Sequence, residues 1–229
     1  MFKLSSLVVV ASIAAAAVAD RQFTVTNNCA YTVWPAIFGS PASTQATGWE
    51  AAPGNTVTFT MPTSWSGRIW GRRDCDFSGG NTQPNSCAVG GCAGGLECSP
   101  NGGTGVPPAT LAEWTLDASG TDWYDISNVD GADLQMAISI GGNTNCTQPS
   151  CTYDLVANCP SDIAVQSGGA NVGCGSPCNA NSTSAATCPQ WDYYHNNCPQ
   201  VYAYAYDDNY ALFTCPSASA TSYTLTFCP

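Results

Sequence analysis

Charge is what this sequence has least of. Only 9% of its 229 residues are charged, five lysines and arginines against 16 acids. A formal net charge of −11 leaves no basic patch for nucleic-acid phosphates or anionic lipid, so neither is an expected partner. Histidine is almost missing too. His195 in WDYYHNNC stands alone, so a Ser-His-Asp or Cys-His site would have to use it, and no nucleophile-elbow motif is present. A surface or hydrogen-bonded histidine is the plainer reading. The glycine cluster GGTG lacks the Lys-Ser/Thr that completes a phosphate loop. Beyond the first twenty residues no apolar run is long enough to span a bilayer. No motif calls for a cofactor.

Signals for export are present. The segment MFKLSSLVVVASIAAAAVAD has a basic start, an apolar stretch and Ala-Val-Ala before Asp20, which predicts a signal peptide over residues 1–19. The mature protein is then secreted, extracellular or in a cell wall. All 14 cysteines follow this segment, and an even count in an exported chain predicts seven disulfides without a free thiol. No metal site is expected, because ligand thiolates would be oxidised outside the cell. Composition leaves the pairing open. Asn145-Cys146-Thr147 and Asn181-Ser182-Thr183 are N-glycosylation sequons. Abundant Gly, Ser, Thr, Asn and Tyr suit a neutral polar ligand such as a glycan.

Hydrophobic residues alternate with period two in RQFTVT (21–26), TVTFTM (56–61), LQMAISI (134–140) and YTLTF (223–227), with Gly, Pro, Asn and Ser clusters between. An all-β sandwich or barrel follows. Residues 73–106 carry four cysteines, many glycines and no hydrophobic period, so local disulfides must staple them. A second cysteine-rich stretch leads up to Cys198. Cys29 follows the first strand and Cys228 ends the last, so a bridge between them would close the sheet's two ends.

The segments NNCAYTVWPAIF (27–38), GRIWGRRDC (67–75), CAGGLEC (92–98), PPATLAEW (107–114), DWYDISNVDG (122–131), CPQVYAYAYDD (198–208) and SYTLTFCP (222–229) resemble, in order, the thaumatin-like family of the pathogenesis-related type. The resemblance implies a β-sandwich (20–72, 114–151 and 199–229), a small disulfide-stapled loop domain (73–113) and a disulfide-rich lobe (152–198), with an acidic cleft between sandwich and lobe. It also implies the pairs Cys29–Cys228, Cys75–Cys87, Cys92–Cys98, Cys146–Cys215, Cys151–Cys198, Cys159–Cys174 and Cys178–Cys188, one bridge fewer than is usual. In NSCAVGGC, Val89 and Gly91 replace the family's threonine and aspartate.

Members described as glucan-directed line their cleft with one arginine, one glutamate and three aspartates. Carried over, these fall on Arg68, Glu113, Asp125, Asp130 and Asp207, with Asp208 the alternative one residue on. An arginine among carboxylates holds some ionised while crowding raises the pKa of another, the asymmetry glycoside hydrolysis needs. The expected roles are Glu113 as general acid, Asp130 or Asp125 as base and Arg68 as electrostatic organiser. Trp123 and Tyr124 are expected to stack on sugar rings. Asp117, Asp122 and Asp133 read as turn or solvated loop acids, and Trp34 and Trp70 as core. The expected partner is β-1,3-glucan or another polysaccharide, bound by a monomer, with endo-β-1,3-glucanase activity as the enzymatic form. A non-catalytic antifungal or defence protein and an inhibitor of digestive hydrolases are the alternatives.

Overall fold

The computed structural model describes residues 19–142, 145–179 and 181–229. The signal-peptide expectation thus lies, but for Ala19, outside the described residues. Twelve strands follow in chain order: β1 (Arg21–Asn27), β2 (Ala36–Ser40), β3 (Thr56–Met61), β4 (Ser66–Trp70), β5 (Leu111–Thr115), β6 (Thr121–Ser127), β7 (Met136–Gly142), β8 (Ser150–Cys151), β9 (Ala164–Ser167), β10 (Ala170–Cys174), β11 (Phe213–Pro216) and β12 (Ala220–Phe227). The helices α1 (Trp191–Asn197) and α2 (Asp208–Ala211) are short. Two five-stranded sheets, ordered β3-β1-β12-β7-β8 and β11-β6-β5-β4-β2, make the sandwich, and β9 and β10 form a separate hairpin. Seven disulfides join the pairs named above, and no cysteine is free.

Alternation builds the core. In β1, Arg21, Phe23, Val25 and Asn27 all point inward. Phe23 meets Trp114 edge to face at 5.1 Å, and Trp114 meets Tyr223 at 6.0 Å, so aromatic rings fill the space between the sheets. Gly39 and Gly67 pair across β2 and β4. A Cβ on either would come within 2.6 Å of the Trp65 indole, so the absent side chains let that ring lie against the strands.

Two acids expected in turns or solvent are buried instead. Asp122 points inward from β6, where Arg21 meets it at 3.0 Å and the hydroxyls of Ser217 and Tyr223 donate to it. An inward carboxylate is tolerated there because an inward guanidinium faces it from the other sheet. Asp117, at φ 50°, is the turn former expected. Asp133 accepts the Thr110 N–H at 2.9 Å through Oδ1, while Oδ2 is buried without a hydrogen-bond partner among the described residues. Burial is the main cause that pushes its carboxyl up to about 7, against hydrogen bonds from Thr110 and the charge of Arg73.

This shift has a measurable sign. The folded protein holds a proton on Asp133 that the unfolded chain, with an ordinary value of 3.8, releases. The contribution is therefore complete below about pH 4 and lost as pH rises through about 7. Within that window it weakens stability by up to about 1.4 kcal/mol per pH unit. Asp133→Asn is expected to flatten this slope, read from denaturant midpoints measured between pH 4 and 8. An unchanged slope would rule out the proton on Asp133.

β4 ends at Trp70, so Arg72 lies beyond the strand that carries Arg68. Trp70 is core, its Nε1–H bonded to the Gly90 carbonyl at 2.7 Å. Arg72 is fully buried and donates to the carbonyls of Trp34, Gly95 and Leu96, which fastens the small loop to the sandwich. Burial lowers its pKa to about 10. At Gly91 a Cβ would lie 1.7 Å from the Pro84 carbonyl oxygen. Backbone therefore occupies the space an aspartate would need, which accounts for glycine there.

Candidate functional site

The outer face of the second sheet carries the site. Register aligns Phe38, Arg68, Glu113 and Asp125 across β2, β4, β5 and β6; the three charged residues lie on the outer face, and Phe38 is partly buried against the core while still lining the hollow there. The residues between them in sequence, Ile69, Ala112, Trp114, Tyr124 and Ile126, are buried on the inner side. Sequence places these three charged groups up to 57 positions apart; antiparallel pairing puts them on adjacent strands about 4.8 Å apart.

Arg68 Nη2 lies 3.1 Å from Glu113 Oε1, with both side chains about a third exposed. Burial pushes the Glu113 carboxyl up; Arg68 opposes the rise and Asp130 adds to it. Asp125 is pushed well above the usual range, first by burial and then by Glu113, with Arg68 pulling the other way and Asp208 adding. Asp125 Oδ1 is buried without a hydrogen-bond partner among the described residues. One carboxylate is thus neutralised by a guanidinium, and its neighbour is driven toward its protonated form. Of the two acids, Glu113 holds the ion pair and Asp125 takes the stronger upward push.

Two hollows share Arg68, Glu113 and Asp125. The larger, about 480 Å³, extends over Phe38, Ser40, Ser66, Thr115 and Trp123. The smaller, about 320 Å³, extends over Ser127, Val129, Asp130 and Tyr202. Asp130, in the loop after β6, lies at that second end. Among the described residues no group of three or more His, Cys, Asp or Glu is placed to hold a metal ion.

The remaining expected residues divide. Trp123 is 40% exposed and lines the larger hollow. Tyr124, one position on, faces inward, is fully buried and donates its hydroxyl to the Thr147 carbonyl at 2.6 Å. It is a core ring, because strand alternation cannot present two successive residues to one face. Asp207 is buried away from the two hollows, accepting the Trp191 indole N–H at 2.9 Å and the Ala203 N–H at 3.2 Å. Its neighbour Asp208 is exposed at the start of α2, accepts the Tyr202 hydroxyl at 2.9 Å and, unlike Asp207, adds to the upward push on Asp125. Asn145 and Asn181 are both exposed. Sequence reasoning missed Phe38, Ser66, Thr115 and Tyr202. Ser66 and Thr115 were legible in principle, since they share the parity of Arg68 and Glu113 on β4 and β5, whereas Phe38 enters through the β2–β4 register. Tyr202 was not, because a bridge to Ser127 from a loop brings it in.

No helix among the described residues is long and apolar enough to cross a membrane. Among proteins of known sequence, the chain is 41% identical over 223 residues to pathogenesis-related thaumatin-like protein 3.5 of Cryptomeria japonica, covering 90% of this chain and 89% of that protein. It is 39% identical over 224 residues to a protein of Prunus avium named glucan endo-1,3-beta-glucosidase, covering 89% and 88%. Among solved structures, the thaumatin-like xylanase inhibitor TLXI shares the fold, with a TM-score of 0.52, 21% identity and coverage of 90% of this chain and 99% of that one. The model of the thaumatin family matches residues 27–229, essentially the whole region built from the two sheets and their disulfides, and the chain belongs to that family.

Proposed function

We propose that the groove over β4, β5 and β6 binds β-1,3-glucan of a cell wall and that Asp125 and Glu113 hydrolyse it, as part of a secreted defence protein. The observation that carries this reading is the lateral row of Arg68, Glu113 and Asp125, with one acid ion-paired and the other not. A relative named glucan endo-1,3-beta-glucosidase supports the substrate class, and relatives named pathogenesis-related support the defence role. Seven disulfides suit the oxidising compartment that secretion provides.

Directly paired residues on neighbouring antiparallel strands have Cβ atoms about 4.5–5.5 Å apart. That lies nearer the carboxyl separation of about 5–5.5 Å in retaining glycosidases than the longer inverting one. In the first step Asp125 gives its proton to the glycosidic oxygen as the C1–O bond breaks, and the Glu113 carboxylate bonds to C1. In the second, Asp125 takes a proton from water, whose oxygen attacks C1 and releases Glu113. Arg68 keeps Glu113 anionic beside a raised Asp125. Binding without turnover is the second reading, favoured by the same ion pair, since a guanidinium that holds Glu113 also restrains it.

The test is sedimentation of the protein with insoluble β-1,3-glucan, followed by chromatography of the soluble products. Co-sedimentation with release of short oligosaccharides is expected. Protein left in the supernatant would overturn the glucan reading. Co-sedimentation with no new reducing ends would leave the binder and remove the hydrolase.

A further inference from the structure

The larger hollow is built from two adjacent rows of the sheet: Phe38, Arg68, Glu113 and Asp125, then Ser40, Ser66, Thr115 and Trp123. Its long direction therefore runs across the strands. The two rows end on aromatic rings at opposite corners. Phe38 on β2 is half-buried at one edge, and Trp123 on β6 is exposed at the other. Three strand spacings and a two-residue offset separate them, a diagonal of about 16 Å, or about three to four sugar rings.

The middle of that diagonal differs chemically from its ends. It passes over the Arg68–Glu113 pair and over the hydroxyls of Ser66 and Thr115, which lie 3.0 Å apart. These groups offer donors and acceptors to sugar hydroxyls, whereas Phe38 and Trp123 offer flat apolar faces. Because Glu113 already occupies Arg68, the centre holds no free cation and suits an uncharged chain.

Resting on the glucan reading above, we infer that an oligosaccharide lies diagonally across the strands from Phe38 to Trp123, with one ring against each aromatic and the inner sugars over Arg68, Glu113, Ser66 and Thr115. Both ends of the site are then occupied by sugar. The carboxyl pair acts on an internal linkage, and a disaccharide reaches at most one aromatic.

The probes are reduced β-1,3-gluco-oligosaccharides of two to six units, titrated calorimetrically into the Glu113→Gln protein so that no cleavage intervenes. Affinity is expected to climb steeply up to about four units and level off thereafter. Phe38→Ala and Trp123→Ala, each added to that background, are expected to weaken the four-unit ligand by about tenfold or more, in line with the ~1–3 kcal/mol typical of stacking on an aromatic side chain. Phe38→Tyr and Trp123→Phe, which keep a flat ring, are expected to restore most of the loss and also show that the fold is intact. Affinity independent of chain length, or loss at only one of the two rings, would overturn the diagonal placement while leaving glucan binding standing. No binding of any length, together with no sedimentation on insoluble glucan by the unsubstituted protein, would overturn both.

Discussion

Asp125→Asn is expected to slow hydrolysis of β-1,3-glucan by about 10²–10⁴-fold, the usual worth of a positioned general acid. The expectation follows from the carboxyl's position: Asp125 lies beside Glu113 in the register and carries the more strongly raised pKa. An asparagine preserves shape but has no proton to give. Glu113→Gln is expected to be at least as damaging, because it removes the anion that must bond to C1. The two losses should differ in kind. On an aryl β-glucoside, whose phenolate departs without protonation, Asp125→Asn is expected to keep most of the first-step rate, read as a phenolate burst, and to stall afterwards because the base for water is gone, whereas Glu113→Gln is expected to give no burst. In the unsubstituted protein, the rate should fall as pH rises through the elevated pKa of Asp125, and Asp125→Asn should abolish that limb. Absence of the burst with Asp125→Asn would remove it from the role of proton donor.

The second large effect concerns stability. Asp122→Ala is expected to cost about 3–5 kcal/mol, because it strands a buried guanidinium without its partner. Arg21 and Asp122 lie at 2% and 0% exposure, and the pair bridges the two sheets. The same carboxylate accepts the Ser217 hydroxyl at 2.6 Å, the Tyr223 hydroxyl at 3.0 Å and the Asp117 N–H at 2.8 Å. The two hydroxyls would be left in a dry interior. Tyr223→Phe, which removes one donor and leaves the ion pair, should cost only about 1 kcal/mol. Denaturant midpoints with the disulfides intact measure both. Similar values for the two substitutions would show that the ion pair contributes little beyond its hydrogen bonds.

Much of the fold was readable because alternation is a local signal. RQFTVT, TVTFTM and YTLTF became β1, β3 and β12 with their apolar residues inward, and the family resemblance supplied the sandwich and its seven bridges. Less was readable where burial depends on a distant partner. Asp122 reads as a loop acid until Arg21, which has the same inward parity on a strand 101 residues earlier, is seen facing it. Tyr124 violates nothing in sequence, yet its neighbours Trp123 and Asp125 face the groove, so its own ring must face the core. The adjacent pair Asp207 and Asp208 is the hardest case. Which of them turns inward is decided by an indole on α1, and no short-range pattern encodes that contact.

β1 lies between β3 and β12, paired in parallel with the latter, and Cys29 is bridged to Cys228 across 199 positions. For a chain made from its N-terminus, this is an order of events. β1 emerges well before β12, its neighbour on one side, which is the last of the twelve strands among the described residues. Its open edge must stay shielded until then, and a product that stops before Ala220 has no strand to fill that gap. Arrival of β12, not the appearance of any early hairpin, is therefore the event that commits this sandwich to its native form.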